Sequence, residues 1–302
     1  MNPAAVAWRL LDHADEPALR ALLIPGEIHA TALSDRMRTP APFRGDRDKI
    51  LIHSSGRDQL DALLFLSASG CAMPLVDSGL EMDRVDSLME ELRSSSLVQN
   101  FRPVSCVGLE TTTWSLQQAM DWRPVLSVRF DAMSLDAMDF APRTAGIPCY
   151  GRDGLQRDLP LWLTRKAGPE DLESLLPLAR AYEIEEVATA MHPFDEAVCR
   201  ANQARALARY RVRILEAGGR VVARAQTNAV GYLREQLGGI IVLPELRGRG
   251  YGRLVVTELS ASILAEDKGL SLFVKKGNVP ARRLYQSLGF RFSGDFRVDY
   301  FM

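Results

Sequence analysis

The sequence predicts an α/β (α+β) protein built as two consecutive domains, and three observations carry that expectation. Short apolar runs such as Ile50-Leu-Ile-His53, Pro124-Val-Leu-Ser-Val-Arg-Phe130 and Ile240-Ile-Val-Leu243 alternate with stretches whose apolar residues recur at helical spacing. The 302 residues are enough for one large or two ordinary domains. Midway, Ala141-Pro-Arg-Thr-Ala-Gly-Ile-Pro-Cys-Tyr-Gly-Arg-Asp-Gly154 is dense in proline and glycine and reads as a linker between domains 1–145 and 155–302.

In chain order, Pro17–Leu23 reads as a short first helix and Ser34–Asp48, rich in proline, arginine and aspartate, as a loop. Ile50–His53 and Ala62–Leu66 read as strands, Met82–Leu92 as a helix, Pro103–Gly108 as a strand, Trp114–Met120 as a helix and Pro124–Phe130 as a strand. In the second half Leu161–Thr164 is a strand. Gly168-Pro-Glu-Asp starts a helix expected to run to about Ala190, with proline and acids in its first turn. Asp195–Tyr210 is a second helix, and Arg211–Leu215 and Val221–Ala225 flank a hairpin turn at Ala217-Gly-Gly219.

Composition narrows the classes. Hydrophobic residues make up 47% and charged residues 25%, with a formal net charge of −1. Near-neutrality speaks against nucleic-acid binding, which needs a basic surface. An apolar run of 18 residues is missing, so no transmembrane helix and no membrane association are expected. Met1–Arg20 lacks a basic-then-apolar leader pattern, which points to a cytoplasmic location. The four cysteines and four histidines are scattered without metal-ligand spacing, so reduced thiols and no metal are expected.

The chemistry concentrates in Gly238-Gly-Ile-Ile-Val-Leu-Pro-Glu-Leu-Arg-Gly-Arg-Gly-Tyr-Gly-Arg253. An apolar strand, ended by Pro244, leads into glycines at 248, 250 and 252 interleaved with Arg247, Arg249 and Arg253, and then into Leu254–Leu264 at helical spacing. Strand, glycine-arginine loop and helix place bare N–H groups at a helix N-terminus, where the dipole also favours an anion. The spacing is neither G-x-G-x-x-G nor G-x-x-x-x-G-K-[ST]. It is Arg247-x-x-Gly250-x-Gly252, and it is followed by Asn278-Val-Pro-Ala-Arg-Arg-Leu-Tyr-Gln-Ser-Leu-Gly-Phe290.

Loop, asparagine, tyrosine and Leu-Gly-Phe in this order resemble the GNAT family of acetyl-CoA-dependent N-acyltransferases. The resemblance covers about Leu159–Met302 and implies a mixed, mostly antiparallel central sheet flanked by helices. It implies acetyl-CoA as co-substrate, lying where the central strand splays from its neighbour at Gly238-Gly239. The backbone of Ile240, Ile241 and Val242 would pair with the pantetheine arm. The main chain of Arg247, Gly248, Arg249, Gly250, Tyr251, Gly252 and Arg253 would hold the pyrophosphate, with Lys275, Lys276, Arg282 and Arg283 as candidates for the 3′-phosphate. Asn278 matches the asparagine that contacts pantetheine, and it also suits an N-cap. Tyr285 matches the tyrosine that protonates the leaving thiolate, a role its reference pKa near 10 suits.

The implied reaction is direct attack of a primary amine of unknown identity on the thioester, with an amide near Val242 polarising the carbonyl. Glu235 is the first candidate general base, followed by Glu185 and Glu186. The acceptor side falls to Glu183–Phe194 and Asp295–Met302, with Arg200, Arg205 and Arg209 facing the other domain or an acidic ligand. The first half looks like a degenerate copy or an accessory α/β domain. Leu116-Gln-Gln-Ala-Met-Asp-Trp122 shadows Leu284–Phe290, with Gln117 in place of Tyr285, and Pro74 matches Pro244. After Pro74, however, stands Leu75-Val-Asp-Ser-Gly-Leu80, without alternate glycines and with an acid that repels phosphate. The alternative reading is a non-catalytic acyl-CoA sensor whose first half is an interaction module. A homodimer through the first half stays open.

Overall fold

Twelve strands hydrogen-bond into one continuous sheet in the computed structural model, which describes residues 7–38, 48–56, 59–142 and 162–302. The first half of the chain supplies β1 (Arg9–Leu10), β2 (Lys49–Ser54), β3 (Leu60–Leu66), β4 (Cys71–Val76), β5 (Ser105–Leu109) and β6 (Leu126–Leu135), with helices α1 (Glu16–Met37), α2 (Met82–Arg93) and α3 (Glu110–Met120). The second half supplies β7 (Trp162–Lys166), β8 (Val212–Ala217), β9 (Arg220–Val230), β10 (Arg234–Val242), β11 (Gly269–Lys275) and β12 (Arg291–Tyr300), with α4 (Leu172–Tyr182), α5 (Glu196–Arg209), α6 (Tyr251–Leu264) and α7 (Val279–Ser287). The sheet is mixed and mostly antiparallel. The parallel pairs are β4 with β5 and β10 with β11, one in each half.

The strand order is β1-β2-β3-β4-β5-β12-β6-β11-β10-β9-β8-β7. Its centre is an exchange. The last strand of the first half, β6, lies against β11 of the second, with Leu272 opposite Met133. The last strand of the chain, β12, lies against β5 of the first half, with Val298 opposite Val107. The two exchanged strands pair with each other along their length, from Arg291↔Ser134 to Tyr300↔Leu126. Packing follows the strands. Met133 and Leu135 of β6 sit in the second-half core beside Leu270 and Val256, while Phe301, just past β12, sits in the first-half core beside Leu116. Burying a side chain of this size contributes about 1.5–3 kcal/mol, so each half depends on the other for part of its core.

Local chemistry explains where the elements depart from expectation. Helix α1 does not stop at Leu23: Leu19, Leu22, Leu23, Ala30, Leu33 and Met37 keep one apolar stripe buried, and the helix passes exposed Pro25 to bend at Ala30 (φ −130°, ψ 27°). The expected loop from Ser34 therefore begins as helix, and its part at 39–47 lies outside the described residues. Strand β4 is an additional strand, set by pairing with β3 across Leu63↔Leu75. Helix α4 ends earlier than Ala190, in a π-helical turn over Glu183–Val187 closed by the Ala188 N–H donating to the Glu183 carbonyl (2.7 Å). A π turn is wider than an α turn and is a frequent companion of functional sites. The linker at 141–154 lies almost wholly, from 143 onward, outside the described residues, as does Cys149.

A cradle in the second half

β10 and β11 pair in parallel only over Arg234–Leu237 against Gly269–Leu272 and then separate. The separation coincides with a bulge. The pairing of β10 with β9 breaks between Gly238 and Ile241, and Gly239 takes the left-handed conformation at φ +56°. An added Cβ at Gly239 would come within 2.7 Å of the Gln226 side chain, so glycine is needed both for the dihedral and for the space. Beyond the bulge, the edge of β10 that faces β11 carries backbone groups without a ladder partner in β11. Such an edge receives an extended ligand as if it were another strand.

The gap opens into a cavity of about 620 Å³. Ile240, Ile241 and Val242 line one wall, Arg247, Gly248, Gly250, Gly252 and Arg253 the far end, and Asn278, Leu284 and Tyr285 the α7 side. Gly250 caps α6 at φ +83° with no side-chain hydrogen bond, so the first-turn amides from Tyr251 onward are left for a ligand. Around Gly248 a Cβ would meet nothing within 4 Å, and the loop backbone is open to close approach. These features fit a pyrophosphate at the loop and a thin amide-bearing arm along β10.

Asn278 holds two positions at once. Its side-chain oxygen accepts the Ala281 N–H (3.2 Å) and so caps α7, while its amide nitrogen donates to Glu186 Oε1 (3.1 Å). Tyr285 is buried at 7% exposure and packs edge-on against Phe290, with ring centroids 5.8 Å apart. Burial, then the negative charges available to Tyr182 and Glu186, push its phenol above the ordinary range. The group therefore stays protonated at neutral pH. The π turn lines the cavity and is tied to its other walls: Glu185 accepts from Arg247 (2.8 Å), and Glu186 pairs with Lys275 (3.3 Å).

Not every candidate residue comes to this place. Glu235 does not line the cavity. It is buried at 1% exposure, clamped by Arg211 (3.1 Å) and Lys268 (3.4 Å) at the paired end of β10, before the strands part. Arg249 is exposed and Tyr251 is packed into the core, so only their main chain belongs to the loop. Lys276 is paired with Asp295 and Arg282 with Asp131 (3.1 Å), whereas Lys275 and Arg283 line the cavity. Of the α5 arginines, Arg209 does face the first half, at Asp35 (2.9 Å), but Arg200 pairs with Glu173.

Three aromatic residues of the cavity had no counterpart among the expected site residues. Tyr182 ends α4 and interacts through its hydroxyl with the Gly239 backbone, and Phe273 lies on β11. Phe130 comes from β6 of the first half. The exchanged strand thus brings a first-half side chain into the second-half cavity, where the strand after α7 was expected.

The corresponding place in the first half is closed. β4 and β5 also pair for two positions, Cys71↔Ser105 and Ala72↔Cys106, and then part. Only about 30 Å³ remains between them, lined by His29, Ala30 and Leu33 of α1 and Phe296 of β12. Gln117, in the position matching Tyr285, donates to Asp299 of β12 (2.6 Å). A helix, a strand and a structural amide fill what is a cavity in the other half.

Two units of one split-sheet fold, one open and one filled, define the class: a tandem arrangement with a single cradle. A family model described as FR47-like protein matches residues 217–298, spanning β9 to β12. A Drosophila protein of solved structure superposes with a TM-score of 0.64 at 14% identity, over 98% of this chain and 99% of that one. An acetyltransferase of the GNAT family from Colwellia psychrerythraea gives 0.57 at 12% identity, over 98% and 99%. A tandem GNAT protein from the clavulanic acid biosynthesis pathway gives 0.55 at 15% identity, over 97% and 98%. No curated protein matches the chain in sequence. The chain therefore shares the fold of tandem GNAT structures over nearly its whole length, and its second unit carries the FR47-like match.

Proposed function

We propose that the protein is an N-acyltransferase that moves the acetyl group of acetyl-CoA to a primary amine by direct attack in a ternary complex. The observation that supports this most is convergence. One cavity holds the open edge of β10, the bare amides at the start of α6 and a protonated buried phenol. The loop from Arg247 to Arg253 binds the pyrophosphate, with the helix dipole adding to the amide hydrogen bonds. The edge at Ile240–Val242 orients the arm, and an amide there polarises the thioester carbonyl. As the amine nitrogen bonds to the carbonyl carbon and the C–S bond breaks, the Tyr285 phenol gives its proton to the sulfur. The proton shed by the nitrogen returns to the phenolate through solvent. Glu235 takes no part, because its carboxylate is committed to Arg211 and Lys268 away from the cavity.

Release of free thiol from acetyl-CoA, measured against a panel of amines, tests the reading. Thiol release with the wild type that falls at least about a hundredfold in Tyr285→Phe supports it, since a positioned acid contributes 10²–10⁴ in rate. Tight acetyl-CoA binding with no thiol released on any amine would instead make the protein a sensor.

A further inference from the structure

A second cavity, of about 650 Å³, lies between the two halves and meets the first at the bulge: Tyr182 and Gly239 line both. Its walls are α1, β2 and β3 of the filled first half and α5, β9 and the π turn of the second. The halves are fastened across it. Asp35 of α1 accepts from Arg209 and from the Tyr210 hydroxyl, both at 2.9 Å. Beside the junction Gln226 keeps a buried side-chain oxygen with no hydrogen-bond partner, next to the glycine where the two cavities touch. An unmet acceptor of this kind is costly unless a ligand donor meets it.

The charges on the walls sort into spent and unspent. Asp35 is held by Arg209, Asp48 accepts the Ala68 N–H (2.8 Å), and Arg36 lies over the Phe65 ring at 5.0 Å. Two charges remain. The Glu183 carboxylate makes no direct hydrogen bond or ion pair among the described residues; it adjoins Tyr182 at the junction and feels the buried Arg224 guanidinium only at longer range. Arg205 on α5 donates only to the side-chain oxygen of Asn202 (2.8 Å) and meets no carboxylate among the described residues. An acid in the π turn at the junction of the two cavities and one guanidinium without a carboxylate on α5 describe the acceptor by its complement.

Resting on the acyltransferase reading above, we propose that the acceptor binds in this cleft between the halves and is an amine that also carries a carboxylate. Glu183 and the Gln226 oxygen receive the amino group, and Arg205 receives the carboxylate. A single free guanidinium matches one carboxylate in the bidentate manner better than it matches a doubly charged phosphate. The first unit, without a cradle of its own, supplies one wall of the acceptor site.

The test is steady-state acetylation of amino acids of increasing chain length, each compared with its own amide, which keeps the amine and removes the negative charge. The wild type is expected to favour the free carboxylate by at least about tenfold in kcat/KM for the best-fitting length, the size of one good charged contact. In Arg205→Ala that ratio falls to near one, and Arg205→Lys restores part of it. Glu183→Gln raises KM for both members of every pair by about tenfold while changing kcat less. Equal use of acids and amides by the wild type, or a ratio that Arg205→Ala leaves unchanged, overturns the proposal. So does absence of turnover across the panel while calorimetry shows acetyl-CoA bound. Acetylation of some amine without carboxylate preference sinks this inference alone, whereas failure of acetyl-CoA to bind the wild type sinks the reading beneath it.

Discussion

Glu27 of α1 is completely buried, and its carboxylate caps the β9–β10 turn of the other half, accepting the Leu233 N–H at 2.8 Å and the Arg234 N–H at 3.0 Å. The Tyr232 N–H donates to the same group. Three backbone donors on one carboxylate explain how a charge is kept in the interior, since amide hydrogen bonds replace its lost hydration. Glu27→Ala removes the acceptor from all three and is expected to lower stability by about 3 kcal/mol, with Glu27→Gln intermediate. Urea denaturation followed by far-UV circular dichroism reads this; a loss below about 1 kcal/mol would mean that water substitutes freely.

The bulge gives a prediction on binding. Gly239→Val places a branched side chain at φ +56° and against Gln226. Strained residues of this kind cost about 1–3 kcal/mol each, and the strand relieves the strain by closing the gap. Isothermal titration with acetyl-CoA should show affinity reduced at least about tenfold, while the circular dichroism spectrum stays that of the wild type.

Glu235 and Tyr285 separate structure from chemistry. Glu235→Gln breaks a buried pairing with two cations, which costs about 3–5 kcal/mol. It should therefore lower the melting temperature while leaving kcat of the folded enzyme within about twofold, the opposite pattern to Tyr285→Phe. A kcat that collapses in Glu235→Gln would restore the carboxylate to the mechanism.

Alkaline pH should weaken the fold. Burial raises the Tyr182 and Tyr285 phenols and the Cys106 thiol above their ordinary values. Groups with a raised folded pKa bind protons more tightly in the native state. Their contribution is whole below the unfolded values, near pH 8.5–10, and is lost as pH rises beyond them. Urea midpoints measured from pH 7 to 11 should fall above about pH 9, and Tyr182→Phe should flatten part of that fall.

The strand exchange predicts that residues 1–142 and 162–302, produced as separate chains, each fail to fold alone. Each lacks the strand that closes its sheet: β12 for the first and β6 for the second. Co-expressed, they should co-purify one to one and bind acetyl-CoA. Soluble, cooperatively unfolding single halves would show that the exchange is dispensable.

The parts of this molecule that were legible in the sequence are those whose chemistry is local. Glycines at 248, 250 and 252 before a helix, an asparagine that caps, and a tyrosine one turn into α7 act through their own backbone or their own helix, and all three features meet in one cavity. The loss of the cradle after Pro74 was equally local. Glu235 misled because an acid on a central strand says nothing of which side of the parting point it occupies; here the strands separate two residues later. The reach of α1 was hidden by Pro25, which an exposed helix face tolerates. The exchange left no trace, because β6 and β12 are both mixed strands that follow a helix and only tertiary pairing decides which neighbour each takes. Phe130, Asp35 and Arg36 could not have been assigned to the cavities without it.

That exchange bears on inheritance. A half with no cradle of its own would ordinarily be free to decay or to be cut away. Here the filled unit owns a strand that the open unit cannot replace, and the open unit owns one in return. Neither can be swapped by recombination for a stand-alone relative, because the newcomer would arrive with its own closing strand and nowhere to put the other. The two must travel, and change, as a pair.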